Sequence, residues 1–416
     1  MFHIRQQNRI VNIVDQIEMR TLRALFNNAT SGYVGELIDV YVQMEASDAR
    51  IQGMLSARRN AVSRTQSVVT SADDKNEAAN AARELVLSNI DHLKWNEFRR
   101  SLMDGRIYGV AIFENIWKRG AAGTLFIDRI KQVDHTLIEQ ETTQFNLKGE
   151  GFGQIVLRED NLSSKTIKLD DLPPYKLVKA YRTNRDGYHD LEGIMRSVAR
   201  WYVIKTFLIR VWAQYAEVYG FPTPIVKVSE DELKNQKSLI KKLLQSVGVN
   251  RYGIFLKSMD YELHEAAGTQ NSDVFEKYLN FANTEAAIAI LGQNLTSEVS
   301  GGSFAASETH FKVFEDLTSD DLEYTDEIIQ EQIVNPLVRV NFPNLPADMY
   351  PTYKSVLSRN IDLQKFGLGM QALSKLVPIP KSYIYEQAQV PEPNGDEEVI
   401  DNTNSDGLLN ALSNTN

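Results

Sequence analysis

The residues best equipped for chemistry are a dense run of carboxylates: Asp316, Asp320, Asp321, Glu323, Asp326, Glu327 and Glu331. Oxygen donors at that density could hold Mg²⁺ for nuclease-type hydrolysis of a phosphodiester. Cleavage would then depend on Asp320 or Asp321. The same run on one helix is better explained as a solvated face whose charges repel one another. Ser238-Leu-Ile-Lys241 has the Ser-x-x-Lys spacing of an acyl-transfer nucleophile, but it lies on a Lys-rich surface helix, where coincidence accounts for it. Gly248-Val-Asn-Arg-Tyr-Gly253 has the glycine spacing of a phosphate-binding loop. Ile254 follows where the phosphate-binding Lys is required, which speaks against a P-loop motor. His3, His92, His135, His189, His264 and His310 are scattered without a His-x-x-x-His pair, so no metal site is indicated. No Gly-x-Ser-x-Gly occurs and there is no cysteine. The expectation is a protein with no catalytic residue, metal or cofactor.

The 416 residues suffice for two or three domains and a sizeable core. A hydrophobic fraction of 43% and a charged fraction of 24% are those of a soluble globular chain. A formal charge of -10 argues against tight, non-specific nucleic-acid binding, which needs a basic excess. It leaves room for a surface past which nucleic acid slides without sticking. Met1-Phe-His-Ile-Arg lacks the pattern of a signal peptide. The most membrane-like stretch, 198–219, carries Arg200, Lys205, Arg210 and Glu217, so no spanning helix and no membrane partner are expected.

Positioning falls to a helix-rich α+β chain. Apolar spacing predicts a helix over 8–30 and one or two helices over 33–64. Arg58, Arg59 and Arg64 near the end of the latter suggest solvated cations facing the helix dipole, with a phosphate or partner contact as the sharper alternative. A short strand at 65–70 and helices at 76–89 and 95–105 follow. Strands at 109–117, 125–133, 152–157 and 166–169 imply a layer of antiparallel hairpins. A long helix over 193–219 is apolar around most of its girth, with Trp201, Phe207, Leu208 and Trp212 among its large side chains. Such a helix is covered on more than one side, either inside a domain or between subunits. A small α/β insertion at 220–268 leads to a second helix, 272–291, which would pair antiparallel with the first.

Then comes Leu291-Gly-Gln-Asn-Leu-Thr-Ser-Glu-Val-Ser-Gly-Gly-Ser303, too polar and too rich in glycine to bury a core. A long helix begins near Ser307, with a possible break at Thr318-Ser-Asp-Asp321 and an end at Asn335-Pro336. One more helix spans 362–376. From Pro391 the chain is polar and acidic, expected to be disordered or ordered by a partner.

Five motifs in order carry a resemblance: Gly35-Glu-Leu with Asp48-Ala-Arg-Ile-Gln-Gly-Met-Leu-Ser-Ala-Arg-Arg-Asn-Ala-Val62; Asp104-Gly-Arg-Ile-Tyr-Gly-Val-Ala-Ile-Phe-Glu114; Leu191-Glu-Gly-Ile-Met-Arg-Ser-Val-Ala-Arg-Trp201; Tyr219-Gly-Phe-Pro-Thr-Pro224; and Leu291-Gly-Gln-Asn-Leu-Thr-Ser297. Together they resemble the Mu-type portal family of tailed bacteriophages over roughly 32–345. Asn294 departs conservatively from the family's Gly-Gln-Thr-Leu-Thr. The resemblance implies a portal fold of wing, stem, clip and crown in a cyclic, twelve-fold homo-oligomer at one capsid vertex. Double-stranded DNA would pass through it during packaging and ejection. It implies a wing at 1–192, stem helices at 193–219 and 269–291, and a clip at 220–268. It further implies a tunnel loop at 292–304, a long wing helix and exit at 305–349, a crown at 350–390 and a flexible tail at 391–416. Gln293, Asn294, Thr296, Ser297, Glu298, Ser300, Gly301, Gly302 and Ser303 would face DNA, and a carboxylate at Glu298 would repel it. Trp201, Phe207, Leu208 and Trp212 would lie between subunits. The implied partners are the major capsid protein, the terminase motor and head-tail adaptor proteins. The implied location is the virion, with the host cytoplasm during assembly. A Mg²⁺-dependent phage nuclease and a monomeric head-assembly adaptor are the competing readings.

Overall fold

The computed structural model describes residues 17–120, 123–141, 154–159, 165–181, 193–219, 225–231, 234–235, 238–239, 241–242, 253–256, 271–293, 304–357, 363–388, 390 and 393. The chain divides into two compact units, Met1–Ser355 and Val356–Asn416.

The first unit opens with helices α1 (Met19–Thr30), α2 (Val34–Ser47) and α3 (Ala49–Arg64). The helix expected over 8–30 starts at Met19 after an extended Glu18, with 8–16 outside the described residues, and 33–64 is two helices. Asp48 divides them: its carboxylate accepts from Arg50 N and Ile51 N and so caps α3. Strand β1 (Gln66–Thr70) and helices α4 (Glu77–His92) and α5 (Trp95–Tyr108) follow. Helix α5 runs nearly a turn past the expected end at 105. It stops where Gly109 takes φ 102°, a left-handed conformation that glycine adopts without a Cβ clash. The following strand therefore starts two residues later than expected.

Strands β2 (Ala111–Arg119) and β3 (Leu125–Gln132) form the expected antiparallel hairpin. Strand β7 (Leu177–Ala180), which its short and mixed sequence hid, pairs antiparallel on the other side of β2, giving the order β3-β2-β7. Strands β4 (Ile138–Glu141), β5 (Gln154–Arg158) and β6 (Thr166–Lys168) make a second antiparallel sheet. The core lies on the face of the first sheet, where Phe98 and Leu102 of α5 meet Phe113, Ile127 and Val178. The Phe98 and Phe113 rings meet edge-on at 5.5 Å.

Side-chain amides close both edges of that sheet. Asn89 of α4 donates to Ile127 O (2.8 Å) and accepts from Ile127 N (3.2 Å). Asn341 does the same for Leu125, at 2.7 and 2.8 Å. On the far edge Gln332 donates to Lys179 O (2.9 Å) and accepts from Lys179 N (2.8 Å). Each carboxamide reproduces the donor and acceptor that a further strand would present. Replacing Asn89 by Leu keeps the shape and strands both Ile127 backbone groups. Urea denaturation should register a loss of about 2 kcal/mol, with far-UV circular dichroism unchanged.

Helix α6 (Met195–Tyr219) and helix α7 (Asn271–Leu291) pack side by side. Their aromatic pairs, Trp201 with Phe281 and Trp212 with Phe275, run in opposite chain directions, so the helices are antiparallel as expected. Between them β8 (Ile225–Val228) and β9 (Gly253–Leu256) pair in parallel, which requires a crossover and so fits an α/β insertion. Residues 257–268 of the expected insertion lie outside the described residues.

Helix α8 (Phe304–Ile329) is continuous, so the break expected at Thr318-Ser-Asp-Asp321 is absent. Nor does Pro336 end it. One turn wound as a π-helix, Gln330–Val334, leads into α9 (Asn335–Asn341), with Pro336 in the first turn of α9, where its missing N–H costs nothing. That wide turn frees two glutamines for backbone work. Gln332 closes the sheet edge, and Gln330 accepts from Tyr353 N (2.7 Å) and donates to Pro351 O (3.1 Å). Strand β10 (Thr352–Val356) pairs with β1.

The second unit contains α10 (Leu363–Leu373), close to the helix expected over 362–376, and an unexpected short helix, α11 (Lys381–Ala388). Leu368, Leu373, Leu376 and Val377 are exposed in it. Among the described residues, no helix is long and apolar enough to cross a membrane.

Candidate functional site

The α6/α7 hairpin has an inner and an outer face. Trp201 meets the Phe281 ring edge-on at 5.4 Å, and Trp212 stacks on Phe275 at 6.3 Å with an interplanar angle of 7°. Both tryptophans therefore spend much of their surface on the partner helix of the same chain. Leu208 is half-buried. Phe207 points away, 59% exposed, as do Ile209, Val274, Tyr278 and Ile288. Lys205, the cation on this otherwise apolar girth, has its ammonium 2.8 Å from the carboxylate of Asp48. The carboxylate that caps α3 thereby also holds the base of α6.

At the other end of the hairpin, α7 gives way to the Gly-rich loop. Gly292 takes φ +69° and its N–H donates to Ile288 O (2.9 Å), an ordinary glycine cap. Gln293 is buried. The other predicted loop residues, Asn294, Thr296, Ser297, Glu298, Ser300, Gly301, Gly302 and Ser303, lie outside the described residues.

Immediately beside the loop root sits a charged cluster that the sequence reading misjudged twice. Arg58 is buried, not a solvated cation at a helix end. Its Nε and Nη2 grip the two oxygens of Asp321 at 2.5 and 2.8 Å, and its Nη1 donates to Ile290 O at 2.7 Å. Asp321 is fully buried, not part of a solvated acidic face. Arg106 of α5 adds a second guanidinium, 3.1 Å from Asp321 and in direct contact with the Asp320 carboxylate. The Arg106 guanidinium also lies 5.8 Å from the centre of the Tyr324 ring. Two cations and two anions thus tie α3, α5, α7 and α8 together.

Arg59 is buried as well. It meets Glu45 (2.5 and 3.1 Å), Asp104 (2.9 Å) and the Tyr108 hydroxyl (3.1 Å). Burial works against its charge, but Asp104, Glu45 and Tyr108 more than offset this and hold its pKa above the usual arginine value. Burial pushes the Tyr108 phenol up too, and the neighbouring Asp104 and Glu45 add to the shift against Arg59. The phenol stays protonated and donates to Glu45 Oε2 at 2.6 Å. A third chain of bonds runs from Arg99 to the Ser355 hydroxyl (2.8 Å) and on to Asp326 (2.7 Å).

The cluster had a signal. Asp321 lies in register with Leu317, Tyr324 and Ile328 on one face of α8, and Arg58 with Met54, Leu55 and Val62 on α3. A charge set within an apolar stripe belongs to a buried pair. Chemically the cluster is a fastening: its charges answer one another.

Two solved structures of gene transfer agent particles resemble this fold. A chain titled "Neck of empty GTA particle computed with C6 symmetry" superposes with a TM-score of 0.51 at 10% identity, covering 84% of this chain and 92% of that one. A chain from "Virion of native gene transfer agent (GTA) particle" gives 0.50 at 10% identity, covering 86% and 94%. At such identities the likeness concerns the fold alone. Two curated relatives are similar in sequence. The Mu-like prophage FluMu protein gp29 of Haemophilus influenzae is 24% identical over 92% of this chain and 71% of its own. The portal protein of Escherichia phage Mu is 22% identical over 90% and 71%. The family model described as "Portal protein of Mu bacteriophage" matches residues 38–390, and with that span the chain belongs to the Mu portal protein family and is a phage portal protein.

Proposed function

We propose that copies of this chain close into a ring around a DNA channel, with α6 and α7 as its stem. The observation that carries this reading is the outer face of the hairpin. Phe207, Ile209, Val274 and Tyr278 are about half exposed or more, although Trp201 and Trp212 already occupy the inner face. Large apolar groups left uncovered along so long a hairpin fit neighbouring copies, and a repeated head-to-tail contact closes a ring. The number twelve comes from the family resemblance. In this reading the wing is 1–192 with the long helix of 305–349, the clip is 220–268, the crown is 350–390 and 391–416 is a flexible tail. The loop 292–304 faces the channel. Its small polar groups, in a protein of charge -10, suit a conduit that lets phosphates pass without retaining counterion-release binding.

The ring would stand at the capsid vertex of the virion after assembly in the host cytoplasm. There it would meet the capsid protein, the terminase and head-tail adaptors during packaging and ejection. It does so as a structural conduit and not as an enzyme. The competing nuclease reading asked Asp320 and Asp321 to hold Mg²⁺, yet Arg58 and Arg106 occupy those carboxylates. Native mass spectrometry tests the ring. The wild type should give one closed oligomer, and a Phe207→Asp, Tyr278→Asp double variant should give folded monomers. A variant ring of unchanged mass would remove the stem from the interface.

A further inference from the structure

We propose that Arg58 is a positioning residue for the channel loop, a role that rests on the channel reading of 292–304. One guanidinium spans the two sides of that loop. Nη1 takes Ile290 O, a carbonyl in the last turn of α7 that has no partner within the helix. Nε and Nη2 take Asp321, which stands on the helix after the loop. The contact is specific to arginine, whose planar fork reaches a carboxylate in two places and a carbonyl in a third.

The division of α8 gives this contact its consequence. Among the described side chains of α8, none from Phe311 to Leu317 is buried and Thr318 is the first that is. The Thr318 hydroxyl donates back to Phe314 O at 2.8 Å, a bond that competes with the helix ladder and favours bending there. At 1.5 Å per residue, Asp321 lies about 25 Å along the axis from the start of α8 at Phe304. Over 311–317 α8 therefore stands clear of the core, Asp321 marks where it is pinned, and Arg58 ties the end of α7 that enters the loop to the same carboxylate. Arg106 braces that carboxylate from α5. The last turn of α7, from which the loop leaves, is therefore held by the wing and not by the stem alone.

The test is hydrogen exchange on assembled protein, wild type against Arg58→Lys and Arg58→Met, with ring mass and DNA per particle recorded in parallel. Lysine keeps the charge but cannot bridge all three acceptors. Exchange in 286–293 and 311–321 should rise about tenfold, the weight of one charged hydrogen bond, while 102–115 keeps its rate and the ring its mass. DNA per particle should fall. If Arg58→Met fails to assemble, Arg58→Lys still decides. A rise shared evenly by all peptides, or none at 286–293, overturns the positioning role. Deleting 294–302 separates the two readings. Normal DNA content in those particles refutes the channel assignment, whereas the exchange pattern judges the arginine alone.

Discussion

Asp321→Ala should destabilise the protein by about 3–5 kcal/mol, the cost of leaving a buried cation without its partner. Asp321 has no solvent exposure and Arg58 has 4%, so water cannot replace the lost carboxylate. Arg106 keeps Asp320 after the change; Arg58 keeps only Ile290 O. The neighbouring Asp320→Ala is the internal control. Its side chain is 47% exposed, so its loss should cost about 0–1 kcal/mol. A third variant, Arg58→Met with Asp321→Leu, removes both charges at similar volume and should recover most of the stability. Urea denaturation of the three, at one protein concentration so that assembly does not confound them, reads the order directly. Equal losses at 320 and 321 would mean that burial does not govern the effect.

Gly105→Ala should cost about 3 kcal/mol, the upper part of the range for overpacking a tight contact. Alanine is ordinarily the better helix former, so the sign is opposite to propensity. A Cβ at 105 would stand 2.5 Å from the Tyr324 hydroxyl and 2.7 Å from the carbonyl carbon of Ala180, and would collide with the Ala180 oxygen. Strand β7 cannot retreat, because β2 holds one side of it and Gln332 the other. Gly53, inside α3, has nothing within 4 Å of the corresponding position. Gly53→Ala should therefore stabilise by about 0.5–1 kcal/mol. Thermal denaturation of the pair should give shifts of opposite sign; two upward shifts would show that α5 and β7 can separate at no cost.

The elements that depend on period alone were legible. The β2/β3 hairpin, the antiparallel α6/α7 pair and the long helix after the loop all follow from local pattern, because apolar spacing and breakers act within a few residues. What escaped depends on partners distant in the chain. Strand β7 is four residues long and is defined by its pairing with β2, not by its own composition. Pro336 looked like an end because a proline breaks an α-helix, but the π turn before it supplies the room. Arg58 and Asp321 are 263 residues apart, and each alone looks like a surface charge. Their stripes were visible; their pairing was not.

The carboxamides on the β3-β2-β7 sheet bear on how such a subunit survives before assembly. An unclosed strand is a living end: any extended segment can add to it, and the product offers the same end again. Asn89, Asn341 and Gln332 act as chain terminators, since a side chain that satisfies an edge presents no new one. Growth by copying backbone pattern is thereby denied to this sheet. In the proposed ring, association would be left to helix faces such as that of Phe207, where shape and side-chain identity decide who fits. A ring needs a fixed number of neighbours, and surfaces that read side chains can count, whereas an exposed strand cannot stop.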